Sequence, residues 1–365
     1  MTGRARQGHA EESDETAAGT ACEPEARRGG GDRGGWVGIV ANRGSGAGRS
    51  HRLVDSLVAE LRRYRLGVEV AWTPEDRPAL VERAAQAPDC RCVVAVGGDG
   101  TVSALINEQL ASPMTVMPAG TENLVARHFG LRRDPRSLAR TITAGRAVNV
   151  DVAQADGRRF LLMAGFGFDA DVVSRHHRGR VTRSGRIRPT SRMAYVQHVV
   201  RASFSYPFPT ISVRITDPGA EEVLKGTTVF IFNLPRYALG LPFVPVARED
   251  DGWLDLVVFR HPGPFRAFYY LCKVFCGIHL RDPSVYHRRV RRAVVTAQET
   301  IPVQLDGDPG GYVLAGPDSS RDDGPFREGR AEWTVEILPS ALSVLVPAGQ
   351  SSRRFRAPLA SGGTS

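Results

Sequence analysis

Val93-Val94-Ala95-Val96-Gly97-Gly98-Asp99-Gly100-Thr101 runs from apolar, mostly β-branched residues straight into a glycine-rich turn, and Val102–Leu110 then takes up helical periodicity. A short apolar run bounded by turn residues predicts a buried strand. Glycines where a strand gives way to a helix let the backbone approach a ligand closely, and a helix N-terminus favours an anion there. The expectation is a phosphate cradle. It lacks the Gly-Lys-Ser/Thr of a Walker A loop and the dinucleotide GxGxxG spacing. Taken alone, the same residues also describe a tight turn with Thr101 as a helix cap.

Two further segments repeat the arrangement. Asn42-Arg43-Gly44-Ser45-Gly46-Ala47-Gly48-Arg49 follows the apolar run Trp36–Ala41, and Met117-Pro118-Ala119-Gly120-Thr121-Glu122-Asn123-Leu124 follows Thr115–Met117. With Val68–Trp72 and Cys92–Val96 these make four predicted strands. Helical patterns at Arg49–Leu66, Arg77–Ala87, Val102–Leu110, Glu122–Phe129 and Pro135–Ala144 fill the gaps. Strand and helix alternating at this spacing predict a parallel sheet covered by helices. The three loops then share the carboxyl edge of that sheet, where open α/β sheets bind ligands.

Beyond about Ala147 the texture changes to β-branched runs divided by Gly, Pro and Asp: Phe160–Ala164, Ile211–Thr216, Thr227–Phe232, Leu254–Phe259, Arg292–Thr296, Ile301–Leu305 and Ala341–Val346. These predict an antiparallel, β-rich second domain, interrupted by helices near Arg192–Ala202 and Phe265–Gly277. The resulting division is a disordered tail at 1–35, an α/β domain at 36–147, a β-rich domain at 148–348 and a second loose tail at 349–365. Both tails are poor in residues that could build a core.

The 365 residues are 42% hydrophobic and 24% charged, a globular composition that excludes a mainly disordered or fibrous chain. No stretch reaches the length of uncharged apolar sequence that a spanning helix needs, and no basic start precedes an apolar run, so a cytoplasmic location is expected. Five scattered cysteines predict reduced thiols. Lys225 and Lys273 are the only lysines among 48 basic residues, and the formal net charge is +9. Such charge suits phosphates, nucleic acid or anionic head groups without choosing among them. No nucleic-acid-binding motif is present, so no nucleic-acid partner is expected.

Taken together, the three loops resemble the diacylglycerol kinase catalytic domain family of lipid kinases, which includes diacylglycerol, sphingosine and ceramide kinases. The resemblance runs from about Trp36 to Val346. It extends to Ala164-Gly165-Phe166-Gly167-Phe168-Asp169-Ala170-Asp171-Val172, to Asn233…Gly240, to Arg248-Glu249-Asp250-Asp251-Gly252-Trp253-Leu254-Asp255 and to Gln304-Leu305-Asp306-Gly307-Asp308. It implies a NAD kinase/diacylglycerol kinase-like α/β domain with a three-layer parallel sheet, a β-sandwich-like C-terminal domain and a cleft between them. The implied activity is transfer of the γ-phosphoryl group of ATP, with Mg2+, to a hydroxyl of diacylglycerol, a sphingoid base or ceramide.

Carried over residue by residue, the resemblance places Asn42, Arg43, Gly44, Ser45, Gly46, Thr73, Gly97, Gly98, Asp99, Gly100, Thr101 through Ala104, Gly120, Thr121 and Asn123 around ATP. It sets Asp99 near the phosphates and magnesium. Asp306 and Asp308 stand where the family has Asp-Gly-Glu, the motif that supplies the base, and the resemblance leaves open which of them is the base. Read without it, Asp306-Gly307-Asp308 is a hairpin turn. A further magnesium site is implied at the Asp251 side chain with the carbonyls of Arg248 and Trp253. Arg43 replaces a usual proline, and Leu124 stands where many bacterial relatives have aspartate.

The resemblance also implies a peripheral position at the inner face of an anionic membrane, where the lipid substrate lies, and relatives are often dimers. The acid-free run Arg175 to Arg192 carries seven arginines and reads either as a head-group site or as a solvated loop. Phe265–Leu280 reads as a core helix, with an interfacial helix as the alternative. The rival functions are a NAD kinase, for which Asn107-Glu108 is an unconvincing Asn-Glu pair, and a catalytically silent lipid- or nucleotide-binding module.

Overall fold

The computed structural model describes residues 34–42, 50–180, 199, 201–238, 240–315 and 329–349. Most of both expected tails, the first-loop residues Arg43, Gly44, Ser45 and Gly46, the second part of the basic run and most of the expected helix Arg192–Ala202 lie outside the described residues.

The first part alternates as expected: β1 (Trp36–Ala41), α1 (Ser50–Arg63), β2 (Gly67–Ala71), α2 (Arg77–Gln86), β3 (Cys90–Gly97), α3 (Asp99–Ile106), β4 (Met114–Pro118), α4 (Leu124–His128) and α5 (Pro135–Ala144). The start of α5 is locally encoded. Pro135 occupies the first turn and the Asp134 carboxylate accepts the N–H groups of Arg136 and Ser137, each at 3.2 Å. Strands β1 to β4 are parallel in the order β2-β1-β3-β4. The chain leaves β1 toward β2 and then crosses back to β3 and β4. Right-handed crossovers therefore put α1 on one face and α2 and α3 on the other. The topological switch point lies between β1 and β3, where the Asn42 N–H reaches the Val96 carbonyl at 3.5 Å.

The remaining elements are β5 (Arg146–Ala155), β6 (Arg158–Phe160), β7 (Met163–Gly167), α6 (Phe168–Arg180), β8 (Ile211–Asp217), β9 (Ala220–Gly226), β10 (Thr228–Phe232), β11 (Arg236–Tyr237), β12 (Leu241–Pro242), β13 (Leu254–Phe259), α7 (Pro264–Phe275), β14 (Val285–Val290), β15 (Arg292–Ala297), β16 (Ile301–Leu305), β17 (Asp308–Val313), β18 (Gly329–Arg330) and β19 (Trp333–Val346). The parallel strands do not end in a sheet of their own. β19 runs parallel to β4 at Val344 and Met114 and antiparallel to β5 and β15, which joins β1 to β4 with β5, β6, β8, β9, β15 and β19 in one ten-stranded sheet. The expected boundary between 147 and 148 falls inside β5, the strand that pairs along most of β19.

A second sheet of seven strands, β14-β13-β10-β7-β16-β17-β18, packs against the β-rich part of the first. Phe160, Phe166, Ile231, Leu256, Val295 and Val335 lie in the shared core. β8 and β19 alternate buried and half-buried positions, as strands with one covered face do, whereas β7, β10, β13 and β16 are buried throughout. Their outer face meets Phe243, Tyr270 and Val274, which belong to a cluster with Phe230, Phe232, Val257 and Phe259.

The structure corrects three expectations. Phe160–Ala164 is two strands, because the Leu161, Leu162 and Met163 N–H groups turn to the Asp306 carboxylate. β19 begins eight residues before the expected Ala341. The helix expected in the core forms as α7 but buries only Tyr270 and Val274, while Phe265, Phe268 and Phe275 are 83%, 66% and 56% exposed.

Candidate active site

Strands β1, β2, β3 and β4 bring Asn42, Thr73, Gly97 and Gly120 to one carboxyl edge. Thr73 closes the turn before α2, donating its hydroxyl to the Asp76 carboxylate at 2.8 Å. The turns after β3 and β4 touch glycine to glycine. A Cβ on Gly120 would fall 2.6 Å from the Gly98 Cα, and one on Gly98 would fall 3.3 Å from the Gly120 Cα. Any side chain there separates the two turns.

The Gly120 turn is held from several sides. The Asn123 Oδ1 accepts the Gly120 N–H and its Nδ2 donates to the Gly120 carbonyl, both at 2.8 Å, with Asn123 itself left-handed at φ 49°. Arg133 donates to the carbonyls of Pro118 and Gly120 at 2.8 and 3.0 Å. The sequence reading found Asn123 and missed Arg133, whose only signal is its place just past a short helix.

Asp99 opens α3, and its carboxylate accepts the N–H groups of Leu124 and Val125 at 3.0 Å each. It therefore caps α4 from a neighbouring element and locks the β3 and β4 turns together. Burial raises its pKa, while these two N–H donors pull the other way. Thr101 is buried against Gly97, and Thr121 is exposed at the mouth.

The opposite wall comes from the turn between β16 and β17. Asp306 stands there at φ 53°, left-handed, and Gly307 follows at φ 87°. The Asp306 carboxylate is buried and accepts the N–H groups of Leu161, Leu162 and Met163 at 2.9, 2.7 and 3.1 Å. Burial pushes its pKa up to about 7, against the pull of those donors, and the nearby Asp99 charge raises it further. Asp308 begins β17, half-buried, and its Oδ2 lies 3.3 Å from where a Gly100 Cβ would be. One acid of this turn is thus built into the scaffold, and the other faces the first turn of α3.

Gln304 steadies the same turn, accepting the Gly307 N–H at 2.8 Å and donating to Asp169 at 2.9 Å. Burial lifts the Asp169 carboxyl to about 6. Behind it, the Asn233 amide donates to the carbonyls of Asp151 and Leu161, and buried Asp151 accepts the Gly252 and Ser340 N–H groups at 2.7 and 2.8 Å. Glu249 pairs with His128 at 3.2 Å, which links the 248–255 segment to α4. The Asp251 carboxylate takes the Arg289 guanidinium and the Trp253 N–H, so a cation there competes with Arg289 for its charge.

Among the described residues no three His, Cys, Asp or Glu side chains cluster as a metal cage. Asp308 beside a phosphate cradle fits a magnesium ion that arrives with a nucleotide, because Mg2+ commonly takes one or two carboxylates and completes its shell with phosphate oxygens and water. Asn107 and Glu108 are engaged elsewhere: Asn107 exchanges two 2.9 Å hydrogen bonds with the Arg159 backbone, and Glu108 pairs with Arg77 at 2.7 Å.

Residues 37–155 match the diacylglycerol kinase catalytic domain family, and residues 163–346 match the YegS C-terminal NAD kinase beta sandwich-like domain. A diacylglycerol kinase of Mycobacterium tuberculosis (strain H37Rv) is 28% identical over 285 residues, covering 75% of this chain and 89% of the relative. A diacylglycerol kinase of Staphylococcus carnosus is 23% identical over 284 residues, covering 76% and 90%. The crystal structure of a diacylglycerol kinase from Bacillus anthracis superposes with a TM-score of 0.59 at 19% identity, covering 85% of this chain and 96% of that one. This last likeness speaks for the fold.

Proposed function

The chain belongs to the diacylglycerol kinase catalytic domain family with a YegS-type C-terminal domain, and we propose that it transfers the γ-phosphoryl group of ATP to a hydroxyl of diacylglycerol or a related lipid. The observation that carries this reading is the meeting of two turns from different sheets: the Gly97–Thr101 turn at the start of α3, and the Asp306–Asp308 turn whose outer carboxylate faces Gly100. Phosphoryl transfer asks for little covalent chemistry from a protein. It needs donors for the phosphates and a positioned acceptor hydroxyl.

The N-terminal end of α3, with its dipole, receives phosphate oxygens, and the glycine contact between the β3 and β4 turns lets the nucleotide approach the backbone. Asp308 accepts the proton of the lipid hydroxyl as its oxygen bonds to phosphorus and the bond to the ADP oxygen breaks. Asp306 is a positioning residue: its three N–H bonds fix the turn that carries Asp308. Asp308 could hold a magnesium ion through one carboxylate oxygen, together with the phosphates, while the other oxygen takes the proton; the ion would supply charge neutralisation. The engagement of Asn107 and Glu108 in backbone and ion-pair contacts argues against the NAD kinase alternative.

We place the protein at the inner membrane face, where such substrates lie. No helix among the described residues is long and apolar enough to cross a membrane. The test is transfer of labelled γ-phosphate from ATP to mixed micelles of a crude lipid extract, with NAD in a parallel tube. Label in a chloroform-soluble product that is absent with Asp308→Asn supports the lipid kinase. Label only with NAD overturns it in favour of the rival, and label in neither leaves a silent binding module.

A further inference from the structure

Among the described residues, five of the nine exposed large hydrophobic side chains fall within residues 265–278: Phe265, Phe268, Tyr269, Phe275 and Ile278. That concentration marks a surface rather than scattered exposure. On α7, Phe265, Phe268, Cys272 and Phe275 follow spacings of three, four and three, which stacks them in one stripe along the helix. Tyr270 and Val274 point the opposite way and hold the helix to the outer face of the seven-stranded sheet.

The mounting is stiff. Tyr270 donates to the Ser284 hydroxyl at 3.0 Å and its ring lies 4.7 Å from Phe259. Asp282 accepts from Tyr269 at 2.8 Å and pairs with Lys273 at 2.5 Å. The stripe is therefore presented preformed, with no ordering needed on contact.

Charge identifies the occupant. From Arg260 to Arg281 the chain carries Arg260, Arg266, Lys273 and Arg281 and not one acid. The next acid, Asp282, is taken up by Lys273. Arg260, Arg266 and Arg281 are exposed. Arg266 lies over the Tyr269 ring at 5.7 Å, at the flank of the stripe. A helix with an aromatic apolar face, three exposed arginines along its segment and the acid beside it neutralised by Lys273 suits the interface of an anionic bilayer.

We propose that α7 is the membrane-docking element, laid flat on the bilayer with Phe265, Phe268 and Phe275 inserted among the acyl chains and Arg260, Arg266 and Arg281 at the anionic head groups. Its purpose rests on the lipid-kinase reading, whereas its test does not.

The full chain is floated with vesicles of phosphatidylglycerol and phosphatidylcholine (3:7), without nucleotide. We expect binding that weakens as NaCl rises from 0.1 to 0.5 M. Each Phe→Ser exchange at 265, 268 or 275 lowers the partition coefficient about tenfold, while thermal unfolding stays unchanged. In Phe268→Trp, brominated acyl chains quench the new fluorescence. Undiminished flotation of the triple serine variant overturns the proposal. So does a wild-type dimer that the triple variant turns into a monomer with equal vesicle binding, because the stripe then joins two copies. Transfer to soluble dihexanoylglycerol is read in the same samples. Activity there with phenylalanine-independent flotation fails the docking proposal alone, and phenylalanine-dependent flotation without transfer to any lipid fails the kinase reading alone.

Discussion

Exchanging each acid of the Asp306–Asp308 turn for its amide separates chemistry from scaffold. In Asp306→Asn the side-chain oxygen still accepts from Leu162 and Met163, but the new NH2 group faces the Leu161 N–H, which sat 2.9 Å from the carboxylate. One buried donor loses its acceptor, at a cost of about 1–3 kcal/mol. At about 2.1 cal/mol/K of unfolding entropy per residue, a chain of this size shifts by about 1.3 °C per kcal/mol, so the melting temperature falls by about 3 °C for a 2 kcal/mol loss. Asp306→Ala strands all three donors and costs about 3–6 kcal/mol. Asp308→Asn leaves all three of these bonds in place. Its turnover, however, drops by about 10²–10⁴-fold if the carboxylate takes the acceptor proton. The assay pairs thermal unfolding with phosphate transfer to diacylglycerol micelles at saturating ATP. Near-wild-type turnover in Asp308→Asn, or an Asp306→Asn protein of full stability and no turnover, refutes the division and returns the base to Asp306.

Other perturbations test neighbouring parts. Gly120→Ala forces a Cβ to within 2.6 Å of the Gly98 backbone, so ATP affinity falls about tenfold or more, measured by calorimetric titration with the non-hydrolysable analogue. Because the folded pKa of Asp306, about 7, lies above its unfolded 3.8, the native state keeps a proton that the unfolded chain releases. That contribution is full below about pH 4 and is lost as pH rises through 7. Urea unfolding at pH 5 and pH 8 thus shows a stability difference in wild type that shrinks by about 2–3 kcal/mol in Asp306→Asn. Asp151→Ala takes the acceptor from the Gly252 and Ser340 N–H groups and lowers stability by about 1–3 kcal/mol in the same assay.

The alternation in the first part was legible because each βα unit is a local pattern: apolar runs of strand length, a turn rich in Gly, Pro or polar residues, then helical periodicity. The second part was legible as β-rich but not as a sheet. β9 reads Ala-Glu-Glu-Val-Leu-Lys-Gly and β14 reads Val-Tyr-His-Arg-Arg-Val, both too polar to stand out, and each is an end strand of its sheet. What makes them strands is pairing: β9 folds back on β8 across a two-residue turn, from Asp217 to Ala220, and β14 pairs with β13 from the far side of α7. The same holds for the continuity of the large sheet. Val344 meets Met114 across 230 residues, and nothing local to either residue announces it.

At the site the sequence marked candidate residues more readily than what each does. Asp306-Gly307-Asp308 reads as a turn and is one, with positive φ at its first two residues. Which acid is scaffold depends on where three N–H groups 143 to 145 residues away are aimed, and that direction exists only in the fold. Asp99 shows the converse. The resemblance set it near the phosphates and magnesium; in the fold its carboxylate accepts the N–H groups of Leu124 and Val125, which holds the β3 and β4 turns in contact. Tertiary position likewise decided α7: a pattern apolar on more than one face suits a core, but the sheet beneath it accepts only Tyr270 and Val274, which leaves the phenylalanine stripe for a partner outside the chain.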